Sequence, residues 1–295
     1  MLSPLIETLI KVSQLKNYSQ AAEELGLTQP AVSHHIKQLE NEFGIKVFTR
    51  VGKESELTDE GKILVKYALR MRNIYNNLVQ AIEDSKASLK HLKIGITPSA
   101  ENGVLSKILA KYSLEKENLH ITIVSDTIKN LYDRLREYEI DIAFVDGKML
   151  NNSLQYILLD TDNLILAVSN DNPLAKKRIV TLEDLKKQKL IVRSSGSGTG
   201  QLFADQLKLN GEKISHFDVI LEVDNIAMIK DLVRHNYGVS VLAKSACQRD
   251  IEKKHFTALS IENLSMIREL NIVYHKDFEH LEVIDELVKL YNEVR

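Results

Sequence analysis

The chain has 295 residues, 44% hydrophobic and 27% charged, with a formal net charge of -2 and one cysteine. Enough apolar residues are present for two or three folding units, and the near-neutral charge excludes a whole-chain electrostatic footprint for nucleic acid or membrane. The lone Cys247 excludes an intrachain disulfide and a paired-cysteine zinc site, which fits a reducing, cytoplasmic setting.

The opening stretch "MLSPLIETLIKVSQLKN" carries Glu7 and Lys11 inside its apolar pattern, so it reads as an amphipathic helix and not as a leader or membrane span. No later stretch approaches the roughly 20 apolar residues a span needs. Leu5, Leu9 and Val12 form one apolar face, Ala21, Ala22 and Leu25 a second, and Val32, Ile36 and Leu39 a third, all at helical spacing. Gly26 suits a left-handed C-cap, Thr28 an N-cap and Pro30 a first helical turn, so a tight turn joins the second helix to the third. That is the helix-turn-helix arrangement, in which the second of the two helices enters the DNA major groove by its N-terminus. Gln29, Ser33, His34 and Lys37 then face out. A helical hairpin within some other small bundle is the competing reading.

Next, "GIKVFTRVGKESELTDEG" reads as a short hairpin with Gly52 in its turn and Arg50 and Lys53 at its tip, a wing able to lie along a phosphate backbone. Residues 1–61 nevertheless hold six Lys/Arg and nine Asp/Glu, so positive groups must be sorted by position if this segment is to meet DNA. Thr58 caps a long helix in which Leu64, Tyr67, Met71, Ile74, Leu78, Ala81 and Ser85 recur at steps of three and four. Such a seam implies a partner helix, and Tyr67, Met71, Ile74 and Leu78 are its expected dimerisation residues.

The run from Leu9 through Gly61, with "YSQAAEELGLTQPAVSHHIKQLENEFGIKVFTR" and "LTDEG", resembles the DNA-binding domain of LysR-type transcriptional regulators. Leu9 stands where that family usually has Phe, Lys16-Asn17 where it has Gly-Ser, and Val47 where it has Leu. The resemblance implies a winged helix-turn-helix over 1–57, a linker and dimerisation helix over 58–90, and an effector-binding domain over 91–295. Its implied DNA contacts are Ser19, Thr28, Gln29, Pro30, Ser33, His34, Lys37, Arg50 and Lys53. Implied partners are double-stranded DNA, a second copy through the linker helix with a tetramer beyond it, and a small effector, with RNA polymerase a further candidate.

From residue 92 onward, short β-branched runs such as "LKIGIT", "HITIV", "IDIAFV", "NLILAVS", "KLIVR", "FDVIL", "GVSVL" and "LNIVY" alternate with helical patterns, an α/β signature. This half is similar to the family's two-lobed effector domain, itself like periplasmic binding proteins. The crossings between lobes are expected near Asp162 and Arg268, giving a first lobe of about 92–162 with 269–295 and a second of 163–268. Ligands of such sheets sit at the carboxyl ends of strands. There the sequence offers Thr97 and Ser99, then Arg193, Ser195, Ser197 and Thr199 in "VRSSGSGTG", then Asp224 and Asn225, with Asp146 as a pocket or hinge residue. Hydroxyls and free helix-terminal N–H groups in glycine-rich loops make an anion cradle, which points to a small anion. The loop resembles a RExGSGTR-like motif of several family subgroups, but Gly200 replaces its last Arg and Ser194 its acid, so the ligand class does not transfer.

Catalytic readings fare worse. "GSGTG" lacks the Gly-Lys-Ser/Thr of a Walker loop, no HExxH occurs, and the adjacent His34 and His35 cannot share one metal. No catalytic residue, metal or cofactor is therefore expected. The alternative is an α/β ligand-binding or enzymatic protein whose N-terminal helices only dimerise it. A solute-binding protein would share the lobes but leave residues 1–90 unexplained.

Overall fold

The computed structural model describes residues 2–51, 54–87, 90–100, 104–147, 151–194 and 196–294. The chain divides into two compact units, Met1–Lys90 with Arg136–Glu139, and His91–Leu135 with Ile140–Arg295.

The first unit runs α1 (Pro4–Leu15), α2 (Tyr18–Leu25), α3 (Gln29–Phe43), the hairpin β1 (Phe48–Val51) and β2 (Glu54–Leu57), and α4 (Asp59–Ala87). Local chemistry encodes each junction. The Asn17 side chain accepts from the N–H groups of Ser19 and Gln20 to cap α2, Gly26 ends it at φ 64°, and the Thr28 hydroxyl caps α3 by accepting from Ala31. Leu9, Ile10, Val12, Ala21, Val32, Ile36 and Leu39 share one buried core with Val47, Leu64, Val65 and Ala68. Glu40 ties the end of α3 to the wing by accepting from the Val47 N–H at 3.0 Å and from Lys46 at 2.8 Å. Thr58 caps α4, accepting from the Gly61 N–H at 2.9 Å. A side chain at Gly61 would collide with the Val47 carbonyl, so this glycine is what lets the linker helix press on the wing.

One expectation for the seam needs correction. Leu64, its first residue, packs into the core of its own chain, because α4 begins by closing the three-helix bundle. Beyond that turn Tyr67, Met71, Ile74 and Leu78 stand exposed.

The second unit contains β3 (Lys90–Ile96), α5 (Val104–Glu115), β4 (Leu119–Ser125), α6 (Ile128–Arg136), β5 (Ile142–Asp146) and the long β6 (Leu154–Val168). It continues with β7 (Ile179–Val180), α7 (Leu182–Lys186), β8 (Lys189–Val192), α8 (Gly198–Leu209), β9 (Asp218–Glu222), α9 (Ile226–Arg234), β10 (Ser240–Ala243), α10 (Lys244–Glu252), β11 (Thr257–Ile261), β12 (Ile267–His275) and α11 (Leu281–Val294). Strand order is β4-β3-β5-β12-β6-β11-β7, with β10 also on β6 and a separate parallel pair β8-β9.

β6 organises the unit. Its first two-thirds pair antiparallel with β12, and residues 164–168 pair with β10 and β11, so one strand serves two lobes. In the first lobe α5 and α11 cover one sheet face, with Ile94, Phe144 and Ile272 beneath them, and α6 covers the other. In the second, α8 packs through Phe203 and Leu207, while α9 and α10 pack through Ile229, Val233 and Cys247. β6 begins at Leu154, well before the strand expected from Asn163 onward, and β7 and β11 are strands beyond those expected.

Candidate functional site

Two surfaces gather the residues singled out in the sequence. The first lies between the start of α3 and the wing. An open groove there is lined by Lys16, Asn17, Tyr18, Ser19, Gln29, Ser33, Phe48, Thr49, Arg50 and Ser55. Two cations and a row of amide and hydroxyl groups face it, and none of these lining residues carries a carboxylate. Among the acids that give residues 1–61 their negative balance, Glu54 stands 3.8 Å from Lys16 as an exposed ion pair, and none is among the lining residues. Gln29 and Ser33, one turn apart, are joined by an amide-to-hydroxyl bond of 2.9 Å. His34 and Lys37 are exposed on the same helix but outside the groove, Thr28 is engaged as a cap and Pro30 occupies the first turn. Lys53 lies outside the described residues. Lys16 was missed in the sequence: it ends α1 in the left-handed region at φ 52°, and its carbonyl accepts from the Ser55 N–H, which fixes the wing beside it.

The second surface is a cavity of ≈ 210 Å³ where the ends of β3, β4 and β5 meet the loop before α8. Thr97, Ser99, Asp146, Arg193, Ser197 and Asp224 line it together. Their hydrogen bonds show how little of the cradle is free. Ser99 donates to Asp146 Oδ2, the Thr97 hydroxyl accepts from the Asp146 N–H at 3.3 Å, and Ser197 caps α8 by accepting from the Gly200 N–H at 3.0 Å. Asp224 accepts from the Ser194 hydroxyl at 2.8 Å and from Arg193 Nε at 3.5 Å. Partial burial raises its pKa, but the Ser194 bonds and the Arg193 charge outweigh that and hold the carboxyl below its ordinary value.

Two residues of the expected cradle lie elsewhere. The Asn225 side chain caps α9 by accepting from the Met228 N–H. Thr199 faces a smaller cavity of ≈ 100 Å³ inside the second lobe, with Val192, Phe203 and Val241. Ser195 lies outside the described residues. Conversely, Asp126, Thr127 and Ile128 line the cavity unforeseen, although "IVSDT" repeats the strand-then-hydroxyl pattern of "GIT".

Behind the cavity, Arg268 donates to Asp146 Oδ2 and, at 3.0 Å, to Asp162 Oδ2. Asp162 also accepts from the Ser245 hydroxyl at 2.6 Å. Arg268 and Asp162 face each other in the β12–β6 ladder at the point where β6 leaves one lobe for the other. A close approach completes the wall. A side chain at Gly198 would collide with the Asp146 carbonyl, so glycine there allows the first turn of α8 to rest against β5.

Comparison with known sequences assigns these surfaces to a family. Residues 4–62 match the bacterial regulatory helix-turn-helix protein of the lysR family, and residues 86–295 match the LysR substrate binding domain. The chain belongs to the LysR family. It is a DNA-binding transcriptional regulator that carries the family's effector-binding domain. The uncharacterised regulator MJ0300 of Methanocaldococcus jannaschii is 30% identical over 90% of each chain. The regulator CysL of Bacillus subtilis is 28% identical, covering 91% of this chain and 89% of its own. CbnR in complex with its target DNA shares the fold, with a TM-score of 0.69 at 15% identity and 99% of both chains covered.

Within this LysR-type regulator, Cys247 is a packing residue. It is fully buried between α9, α10 and β6, and desolvation pushes its thiol up to about 12. Native protein should therefore resist a thiol-specific alkylating reagent at neutral pH, with Cys247 modified only after unfolding. Rapid labelling of the folded chain would show the residue to be accessible. Among the described residues no group of three or more His, Cys, Asp or Glu side chains could hold a metal ion, and no helix is long and apolar enough to cross a membrane.

Proposed function

We propose that this LysR-type regulator reads its operator through the α3–wing groove and is modulated by a small anion held where Thr97, Ser99, Asp146, Arg193, Ser197 and Asp224 converge. It acts as a cytoplasmic homo-oligomer joined through α4, performs no catalysis, and meets RNA polymerase at the promoters it controls. The observation that carries the DNA reading is the sorting of charge: in a segment with excess acid, the residues lining the groove include Lys16 and Arg50 and no Asp or Glu, although Glu54 pairs with Lys16 at 3.8 Å. Cations on such a groove can position phosphates, while Gln29 and Ser33 at the N-terminal turn of α3 have the chemistry for base edges. The anion reading is supported by Arg193, a lining residue of the cavity whose side chain is 2% exposed and whose ion-pair partner among the described residues is the exposed Asp224 carboxylate.

Gln29→Ala and Ser33→Ala are expected to weaken binding to the cognate operator by about 1–3 kcal/mol each without changing the melting temperature. Ile36→Ala, at a position 2% exposed, should instead lower stability by about 2–5 kcal/mol through the cavity it leaves. Titration of labelled operator DNA, paired with thermal melts, separates the two. Unchanged operator affinity in both surface variants would remove this face from the readout.

A further inference from the structure

Two residues that line the cavity each carry a buried polar atom, of opposite kind, with no partner among the described residues. Arg193 uses Nε toward Asp224, and its Nη1 is buried without a hydrogen-bond partner. Asp146 is buried, and its Oδ2 receives both Ser99 and Arg268, yet its Oδ1 is buried and likewise unpartnered. Buried polar groups in native proteins are nearly always hydrogen-bonded, so an orphaned donor and an orphaned acceptor on two residues that line one small cavity need an explanation.

The other carboxylates on that wall do not share the property. Asp126 Oδ1 accepts from the Thr127 N–H and the Asn130 amide, and its Oδ2 lies 3.4 Å from Arg134. Asp224 is engaged by Ser194 and Arg193. The unmet demand is therefore specific: an acceptor oxygen for Arg193 and a hydrogen-bond donor for Asp146.

We infer that the effector is an anion carrying an N–H or O–H donor of its own, so that one end accepts from Arg193 Nη1 and the other donates to Asp146 Oδ1. This rests on the proposed placement of the effector in this cavity. A fully deprotonated oxyanion such as sulfate, or a carboxylate without a donor such as a 2-oxo acid, answers Arg193 but turns lone pairs toward Asp146. The site thus rejects it by leaving a buried carboxylate oxygen facing another acceptor. Hydrogen phosphate, a 2-hydroxy acid and a 2-amino acid each supply acid oxygen and donor together. The cavity, at ≈ 210 Å³, admits molecules of that size.

Matched pairs test the donor requirement on unmodified full-length protein. Calorimetric titration at neutral pH would compare hydrogen phosphate with sulfate, lactate with pyruvate, and alanine with propionate. In the pair whose acid group fits, the donor-bearing member should bind at least about tenfold tighter, and which pair responds distinguishes a phosphoryl from a carboxylate source. Equal affinity within every binding pair, or preference for the donor-free member, would overturn this inference while leaving the cavity as the effector site. No heat from any of the six would overturn the cavity placement as well. In Asp146→Asn the amide can offer an N–H where the wild type has a lone pair, so the donor-free member should gain on its partner. A preference unchanged in that variant, with the fold intact by circular dichroism, would remove Asp146 from the selection.

Discussion

A charge placed at Ile74 or Leu78 is expected to turn this regulator into a monomer and to take most of its operator affinity with it. Tyr67, Met71, Ile74 and Leu78 are 54%, 43%, 50% and 55% exposed on successive turns of α4, an apolar row left about half open to solvent. In a paired helix the row is buried, and Ile74→Asp or Leu78→Asp then puts an unpaired carboxylate into an apolar seam, which is costly enough to break the pair. The effect on DNA is larger than the loss of any side-chain contact. Two linked reading heads gain about 10²–10⁴ in avidity over one, and a monomer forfeits that factor. Sedimentation of the variant and titration of a two-half-site operator measure both consequences. An undisturbed dimer in either variant would mean that subunits associate through another surface.

The second large effect is expected at Arg193. Arg193→Met keeps most of the buried stem and removes the charge that faces the cavity. Its partner Asp224 is 63% exposed, so water replaces the lost contact and the fold tolerates the change. An anionic effector would lose a buried charge-assisted hydrogen bond, and truncating such a pair typically costs about 2–5 kcal/mol. Ligand-dependent transcription should vanish while basal operator binding persists. An effector affinity within twofold of wild type would place the anion site away from Arg193.

The DNA-binding segment was readable because its determinants are local. Asn17, Gly26, Thr28 and Pro30 act on N–H groups and turns within three residues of themselves, and the apolar faces of α1, α2 and α3 repeat at one helical period. β6 was only half readable. Its first part, "LQYILLDTD", carries Asp160 and Asp162, which disfavour strands in isolation, and it is held by pairing with β12 more than a hundred residues later. The effector cavity shows the same division. Residue types at strand ends announced Thr97, Ser99 and Asp224, yet whether a hydroxyl is free or already engaged depends on remote neighbours. Asn225 and Ser197 stand in the sequence as cradle residues, but a polar side chain just before a helix also suits an N-cap, and the structure engages both as caps. Arg268 read only as a crossing point, because its contact with Asp146 spans 122 positions of sequence.

The single strand β6 has a consequence for how the effector-binding half melts and how it can be re-engineered. Residues 154–163 are bonded to β12 and residues 164–168 to β10 and β11, so no cut through the chain frees one lobe without stripping backbone partners from the other. Arg268 adds a buried ionic tie at the same point. The effector-binding half is therefore expected to melt as one cooperative unit in place of two stacked ones, since both lobes draw backbone partners from the same strand. Evolution and the protein engineer face the same restriction. A ligand specificity can be exchanged by transplanting the two lobes together, or by altering side chains on the loops that end β3, β5 and β8, whereas a chimera of one lobe from each of two parents breaks its own sheet.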